Sequence, residues 1–119
     1  MQIEQQEVGD VVVLTITGDI IAGRGADIRL KDKVNSLLQD GHRKLIVNLA
    51  AVTYVDSAGL GQLVQAHATA AKAGGTLKLL HVTKRLRDLL VVTKLLVVFD
   101  AFDSEAEALA SFGSAQSQP

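Results

Sequence analysis

The sequence predicts a single α/β domain with a mixed, mostly parallel sheet, an antiparallel N-terminal edge strand and about four helices. A strand-like run over 3–8 is followed by a run over 11–17 that is rich in β-branched residues, and the short Gly-Asp pair that joins them is typical of an antiparallel hairpin. Helical spacing of apolar residues then alternates with strand-like runs, which favours parallel strands linked by right-handed crossovers. The 119 residues suit one domain, expected over 1–113, before a disordered polar tail over 114–119.

The elements of the N-terminal half follow from turn residues and apolar spacing. An apolar stripe at helical spacing runs from Leu30 to Leu38, and Gly41 is placed to end that helix in a left-handed conformation. The glycines of the preceding segment predict a loop. The predicted elements are a strand over 3–8, a turn at Gly9-Asp10, a strand over 11–17, a loop over 18–25 and a helix over 26–40.

The C-terminal half alternates strand and helix in the same way. Thr83 is a suitable N-cap for a short helix, and Ser104 with Glu107 has the pattern of a capping box before the last helix, which Gly113 is expected to end. The run over 95–99 reads as a strand, with a partly helical conformation as the alternative. The predicted elements are strands over 45–49, 76–82 and 95–99, and helices over 57–73, 83–92 and 104–113.

Composition argues against several classes of function. The formal net charge is −1, from 12 basic and 13 acidic residues, so no global field draws the chain to nucleic acid or to an anionic membrane. Aromatic residues make up 3% of the chain, too few to predict stacking platforms for single strands. Cysteine is absent, the histidines lack metal-ligand spacing, and no apolar run is long enough to span a bilayer. We therefore expect a cytoplasmic protein with no direct nucleic-acid contact, no membrane contact, no metal and no cofactor.

The segment at Asp56 and Ser57 is the strongest candidate for a functional site. A buried strand is followed there by a helix whose first turn carries mainly small residues. A hydroxyl in this place is near the surface at the positive end of the helix dipole, where a phosphate is well accommodated. Two other interpretations stand beside this one. Asp56 or Ser57 could simply cap the helix, and a serine nucleophile is the third interpretation, although the flanking glycines of a nucleophile elbow are missing.

A second segment is expected at the same edge of the sheet. In open α/β sheets, functional groups concentrate beyond the carboxyl ends of the strands. The loop over 18–25 follows one predicted strand and Asp56-Ser57 follows another. The sequence therefore predicts that the two segments lie together.

The run Tyr54-Val55-Asp56-Ser57-Ala58-Gly59-Leu60-Gly61, preceded by Asn48-Leu49, is a fairly specific signature when the flanking elements agree with it. On these residues the chain resembles the STAS domain, and specifically bacterial anti-sigma-factor antagonists of the sporulation stage II AA type. The resemblance extends from the first strand to the helix after Ser104. Weaker matches are Gly18-Asp19-Ile20, Gly74-Gly75 and the helix with Val82, Leu86 and Leu89.

The resemblance implies partner switching. In that family the unphosphorylated antagonist binds an anti-sigma factor that is also a serine kinase, and this frees the sigma factor for transcription. The kinase then phosphorylates the serine of the Asp-Ser motif, which releases the antagonist, and a serine phosphatase removes the phosphate. Ser57 is the implied phosphoacceptor, and no catalytic residue is implied in this chain. The implied partner-binding residues are Asp56, Ala58, Gly59, Leu60, Asp19, Ile21 and Arg24.

The loop before the first helix departs from the family pattern. Ile21 stands where many relatives carry an acidic residue, and Gly23-Arg24-Gly25 adds a positive charge. Arg24 has two interpretations, which are contact with the phosphate and an ordinary solvated side chain. The departure bears on which partner the chain binds.

Two other functions stay open. The alternative is a cytosolic STAS accessory subunit of a lipid or anion transporter, which would have no need of an exposed serine at position 57. The third is a small enzyme or ligand-binding module. Apart from the Asp56-Ser57 pair no catalytic arrangement supports it, although weak nucleotide contact at this edge stays open. His67 is expected to be packed or half-buried, and Lys84-Arg85-x-Arg87 is expected to be a solvated helix face.

Overall fold

The structure, a computed structural model, describes residues 2–20 and 26–116, with the side chains of 2–20 and 30–112. The strands are β1 (Gln2–Val8), β2 (Val11–Ile20), β3 (Lys44–Val55), β4 (Thr76–Leu80) and β5 (Ala101–Phe102), and the helices are α1 (Ala26–Gln39), α2 (Ser57–Lys72), α3 (Lys84–Val92) and α4 (Glu105–Gln116). The strands form one sheet in the order β1-β2-β3-β4-β5. β1 and β2 pair antiparallel, and every later pair of neighbours is parallel. The predicted fold class is confirmed.

One face of the sheet carries the main hydrophobic core, which α1, α2 and α3 cover. The apolar stripe of α1 from Leu30 to Leu38 is buried there, as its spacing predicts. Leu63 of α2 and Leu86 of α3 are buried against the same face. The strand residues in this core include Val12, Leu14, Ile16, Leu45, Val47, Leu49, Leu77 and Leu79.

The opposite face of the sheet is covered by α4, which buries Ala108 and Phe112 against it. Lys78 is a buried charged residue beneath this helix. Its ammonium group lies 4.6 Å from the ring centroid of Phe112 and 5.4 Å from that of Phe102, and it donates a hydrogen bond of 2.7 Å to the Ser111 hydroxyl. The aromatic faces and the hydroxyl together stabilise a cation that has been removed from most of its water.

The predicted loop over 18–25 is wrong for residues 18–20, which are the last three of β2. Residues 21–25 lie outside the described part of the chain. Gly18, read as a turn signal, adopts φ +98° within the strand, and the pairing register shifts between Gly18 and Asp19. Such an irregularity allows a strand to continue through a residue with positive φ, which is why the glycine did not end it.

β3 also continues further than predicted, past Leu49 to Val55. Its last residues pair with the extended end of β2, where Asp19 aligns with Tyr54 and Ile20 with Val55. Alternation of polar and apolar residues is weak here, so the sequence did not mark these residues as a strand. β4 is shorter than predicted and ends at Leu80 instead of residue 82, because the next residue has φ +56° and leaves the extended conformation.

The predicted strand over 95–99 is wrong, and these residues form a turn instead. Lys94 has φ +61° just after α3, and the Val98 amide then donates to the Leu95 carbonyl at 3.0 Å. The turn exposes 91% of Val97 and buries Phe99, so the apolar run does not lie in a sheet. The fifth strand is the two-residue β5, which pairs with the end of β4.

The glycines at two predicted helix ends behave differently. Gly41 has φ +96°, and hydrogen bonds from Gly41 to Leu38 and from His42 to Leu37 close α1 as predicted. Gly113 does not end α4, because the helix continues to Gln116. A glycine ends a helix only when it takes a left-handed conformation, and within a helix it costs only about 1 kcal/mol relative to alanine.

We expect Lys78→Ala to reduce the free energy of unfolding by about 1–3 kcal/mol, because it removes both the aromatic contacts and the hydrogen bond beneath α4. Urea unfolding followed by circular dichroism measures the effect. Lys72→Ala is the matched control, since Lys72 is exposed at the end of α2 and its loss is expected to change stability by less than about 0.5 kcal/mol. Equal midpoints for the two variants would contradict this account of α4.

Candidate functional site

Asp56 joins the end of β3 to the start of α2 and is the N-cap of that helix. Its backbone is extended, with φ −88° and ψ 176°, and its carboxylate accepts a hydrogen bond of 2.5 Å from the Gly59 amide. The Leu60 amide donates to the Asp56 carbonyl at 2.8 Å. Of the two residues that the sequence offered as caps, the structure selects Asp56.

Ser57 is the first residue of α2 and is exposed, as is Ala58 beside it. Because Asp56 supplies the cap, the Ser57 hydroxyl is not needed to start the helix, and it has no hydrogen-bond partner in the described part of the chain. The amides of a first helical turn lack intrahelical partners, and the helix dipole favours negative charge there. A hydroxyl in this position can receive a phosphoryl group without breaking a hydrogen bond to any residue that the structure describes.

Gly59 and Leu60 are buried, unlike the two residues before them. Leu60 is 2% exposed and belongs to the main core. A Cβ atom on Gly59 would lie 2.0 Å from the carbonyl oxygen of Ile20, so the first turn of α2 meets the end of β2 with no room for a side chain. Sequence reasoning missed this contact, because the spacing of apolar residues is the same whether or not two backbones approach closely.

β2 brings Asp19 to the same edge, so the predicted convergence of the two segments is confirmed for the residues that the structure describes. Asp19 aligns with Tyr54 in the parallel register and is exposed. Its carboxylate accepts a hydrogen bond of 2.5 Å from the Thr53 hydroxyl. Ile21 and Arg24, the other predicted residues of this segment, lie outside the described residues. The edge therefore carries carboxylates from the ends of two neighbouring strands.

The first turn of α3 lies against the last residues of β3. Thr83, Arg85 and Leu86 line a narrow cleft together with residues 52–55. Tyr54 is 42% exposed there. Sequence reasoning treated the basic residues of α3 as a solvated face and missed that Arg85 lies against residues 52–55, just before the Asp-Ser segment. Strand order is the signal that could have shown it, since β3 and β4 are neighbours and α3 begins just after β4.

Other residues singled out by the sequence serve packing or surface contacts. His67 is half-buried on α2, with its ring 5.2 Å from that of Phe99 at 75°, as the packed interpretation predicts. Arg87 forms an ion pair of 3.6 Å with Asp103. Among the side chains of residues 2–20 and 30–112, no three acidic or histidine residues gather in a way that could hold a metal ion. No helix that the structure describes combines the length and apolar character that crossing a membrane requires.

Gly59→Ala and Gly61→Ala make a matched pair within one helix. We expect Gly59→Ala to lower the free energy of unfolding by more than about 2 kcal/mol, because the new methyl group overlaps the Ile20 carbonyl. At Gly61 an added Cβ meets nothing within 4 Å, so alanine is expected to stabilise by up to about 1 kcal/mol. Urea unfolding of both variants measures the difference. Similar stabilities would show that the backbones do not approach as described.

Asp56→Ala is expected to cost about 1 kcal/mol, because it removes the acceptor for the Gly59 amide. Asp56→Asn keeps an acceptor oxygen and should stay close to the parent. Ser57→Ala should change stability by less than about 0.5 kcal/mol, since the Ser57 side chain is exposed. Thermal unfolding at neutral pH compares the three variants. A larger loss of stability for Ser57→Ala than for Asp56→Ala would show that Ser57, and not Asp56, caps the helix.

Comparison with known proteins gives both a family and a fold. The family model of the STAS domain matches residues 2–108 of this chain. An anti-sigma factor antagonist from Mycobacterium paratuberculosis has a similar structure, with a TM-score of 0.78 and 21% identity over 92% of each chain. The Bacillus cell fate determinant SpoIIAA in its phosphorylated form has a TM-score of 0.72 and 18% identity, over 93% of this chain and 99% of that one.

A third similar structure comes from a different functional class. It is a sulfate transporter family protein from Wolinella succinogenes, with a TM-score of 0.75 and 23% identity over 87% of this chain and 85% of that one. Identities this low establish a shared fold rather than a shared activity. The family model covers most of the residues, and the mixed sheet with its antiparallel edge agrees with these structures. The chain is therefore a member of the STAS domain family.

Proposed function

We propose that this protein is an anti-sigma-factor antagonist that is switched by phosphorylation of Ser57. In the unphosphorylated form it binds an anti-sigma factor of the serine-kinase type, and phosphorylation by that kinase releases it. The observation that carries the proposal is the exposed Ser57 hydroxyl at the start of α2, which has no partner among the described residues while Asp56 supplies the cap. The structural neighbours that are anti-sigma factor antagonists support the same class of function.

The electrostatics of this edge explain how a phosphate could act as a switch. A phosphoserine adds a charge of about −1.5 to −2 and strong acceptor oxygens. The N-terminus of α2 favours that charge, whereas the carboxylates of Asp56 and Asp19 oppose it. Because the start of α2 favours negative charge, the fold should tolerate the phosphate. A partner that had covered Ser57 would have to bury an unpaired dianion, which is costly enough to break a protein interface.

The residues proposed for partner contact divide by exposure. Ser57, Ala58 and Asp19 are exposed, so we assign direct contact to them. Gly59 and Leu60 are buried and act by holding the first turn of α2 against β2. Asp56, Ile21 and Arg24 are kept in the proposed contact surface. In this proposal a serine phosphatase restores the unphosphorylated form. The chain itself performs no catalysis and contacts no nucleic acid directly. The proposed location of the protein is the cytoplasm.

The second candidate function is an accessory subunit of a lipid or anion transporter. The similarity to a sulfate transporter family protein favours it, because the same fold serves both classes. The candidates differ at position 57, since an accessory subunit has no use for a serine whose hydroxyl is exposed and uncommitted. Phosphopeptide mapping of the protein from growing and from stressed cells separates them. Ser57 occupancy that changes with condition supports the switch, and persistent absence of phosphate favours the accessory role.

Ser57→Ala is expected to bind the kinase-type anti-sigma factor as tightly as the parent and to stay bound when ATP is added. Ser57→Asp is expected to bind at least about tenfold more weakly, because a carboxylate introduces negative charge into the contact. Both should keep the far-UV circular dichroism of the parent. Pull-down and surface plasmon resonance with purified kinase, with and without ATP, give the comparison.

Ser36→Asp is the control for added charge alone, because Ser36 is exposed on α1 rather than α2. It is expected to bind like the parent and to be released by ATP like the parent. If Ser57→Asp, Ser36→Asp and the parent all bind alike, position 57 is not the switch. If ATP releases Ser57→Ala as readily as the parent, the phosphoacceptor is another residue.

A further inference from the structure

We propose that Lys84 and Arg85, which we call the basic flank, form a second contact surface for the same partner and bind an acidic region of it. The inference rests on the proposed function, because the partner is the serine-kinase-type anti-sigma factor. It adds a surface outside the Asp-Ser motif and states the charge of the partner region that meets it. Tyr54, which lines the same cleft as Arg85, belongs to the proposed contact surface.

The pairing of the strands places Arg85 of the basic flank near the proposed phosphorylation site, and Lys84 is its neighbour in the chain. β4 pairs with β3 only as far as Asn48, opposite Leu80, whereas β3 continues to Val55. The first turn of α3 lies along that unpaired length, and Arg85 lines the cleft with residues 52–55. The cleft therefore ends one residue before the Asp56 cap, so that a partner seated on Ser57 can reach the basic flank.

The helix dipole of α3 does not account for these charges. Lys84 and Arg85 are the first two residues of the helix, whose first turn contains no acidic side chain. A cation at a helix N-terminus opposes the helix dipole, so both residues lie where positive charge is least favourable. Both are exposed, and neither forms an ion pair with a side chain of residues 2–20 or 30–112. Arg87 on the same helix differs, because it is paired with Asp103 at 3.6 Å.

Tyr54 gives this surface an apolar centre. It is 42% exposed, although most large hydrophobic residues near the carboxyl edge, such as Val52 and Val55, are buried. Exposed tyrosines with charged neighbours are typical of the residues that contribute most to binding at protein interfaces. The edge thus presents the Asp19 carboxylate at the end of β2, Tyr54 at the end of β3 and cations at the start of α3. A partner that fits it has the complementary order, with acidic residues opposite Arg85.

Association kinetics test the proposal. Each serine-kinase-type anti-sigma factor encoded by the source organism is purified and mixed with the unphosphorylated protein, without ATP, between about 50 and 200 mM NaCl. We expect Arg85→Glu to lower the association rate constant about tenfold at low salt and to approach the parent as salt rises, because the attraction is screened. The double variant with Lys84→Glu and Arg85→Glu should lower the association rate constant further. Tyr54→Ala should raise the dissociation rate constant about tenfold.

The control variant is Lys72→Glu, which makes the same change of net charge at the other end of α2. It should keep the association rate constant of the parent to within about twofold, since steering depends on local rather than net charge. Glutamate is favourable at a helix N-terminus, so Arg85→Glu should fold as the parent does, which thermal unfolding verifies.

The outcomes separate the two proposals. Binding by the parent with unchanged rates for Arg85→Glu overturns the basic flank and leaves the Ser57 switch intact. A similar loss for Arg85→Glu and Lys72→Glu also overturns it, since net charge would then explain the effect. Failure of the parent to bind any of the kinases overturns the proposed function, and the basic flank with it.

Discussion

The contact between Gly59 and the Ile20 carbonyl is the constraint on which the functional edge depends. An added methyl group there would lie 2.0 Å from the carbonyl oxygen, so the first turn of α2 is held directly on the backbone at the end of β2. That approach fixes the start of α2 relative to the sheet and sets Asp56 and Asp19 at one edge. Packed backbones are stiffer than packed side chains, because no rotamer change can relieve an overlap between them. The position of Ser57 in space therefore follows from a glycine two residues later in the chain.

Much of the fold could be predicted from local patterns. The hairpin, the apolar stripe of α1, the Gly41 end of that helix and the Thr83 cap of α3 all follow from spacing and capping residues, and the structure contains them. The run over 95–99 could not be assigned in the same way. Its residues are those of a strand, but the chain leaves α3 through Lys94 at φ +61° and closes a turn with the hydrogen bond from Val98 to Leu95.

The site was predictable in place but not in detail. Asp56-Ser57 was located because a strand must meet a helix there, and Asp19 was brought to the same edge by the parallel topology. Which residue caps the helix, and that Gly59 meets Ile20, depend on contacts between segments distant in sequence. The same holds for Arg85 beside residues 52–55, because the position of α3 against the end of β3 depends on where β4 stops. Spacing within one element carries no information about such distances.

Asp56 caps the helix and Ser57 carries the exposed hydroxyl, and this separation has a consequence for the cellular abundance of the protein. Small changes in folding free energy alter the steady-state abundance of a protein, because the unfolded fraction is degraded. The cap that holds α2 is on Asp56, so a group added to the Ser57 side chain changes no bond that the helix needs. Loss of the Asp56 carboxylate would therefore lower the abundance of the chain through the cap, whereas a group added to Ser57 would act on folding only through its charge.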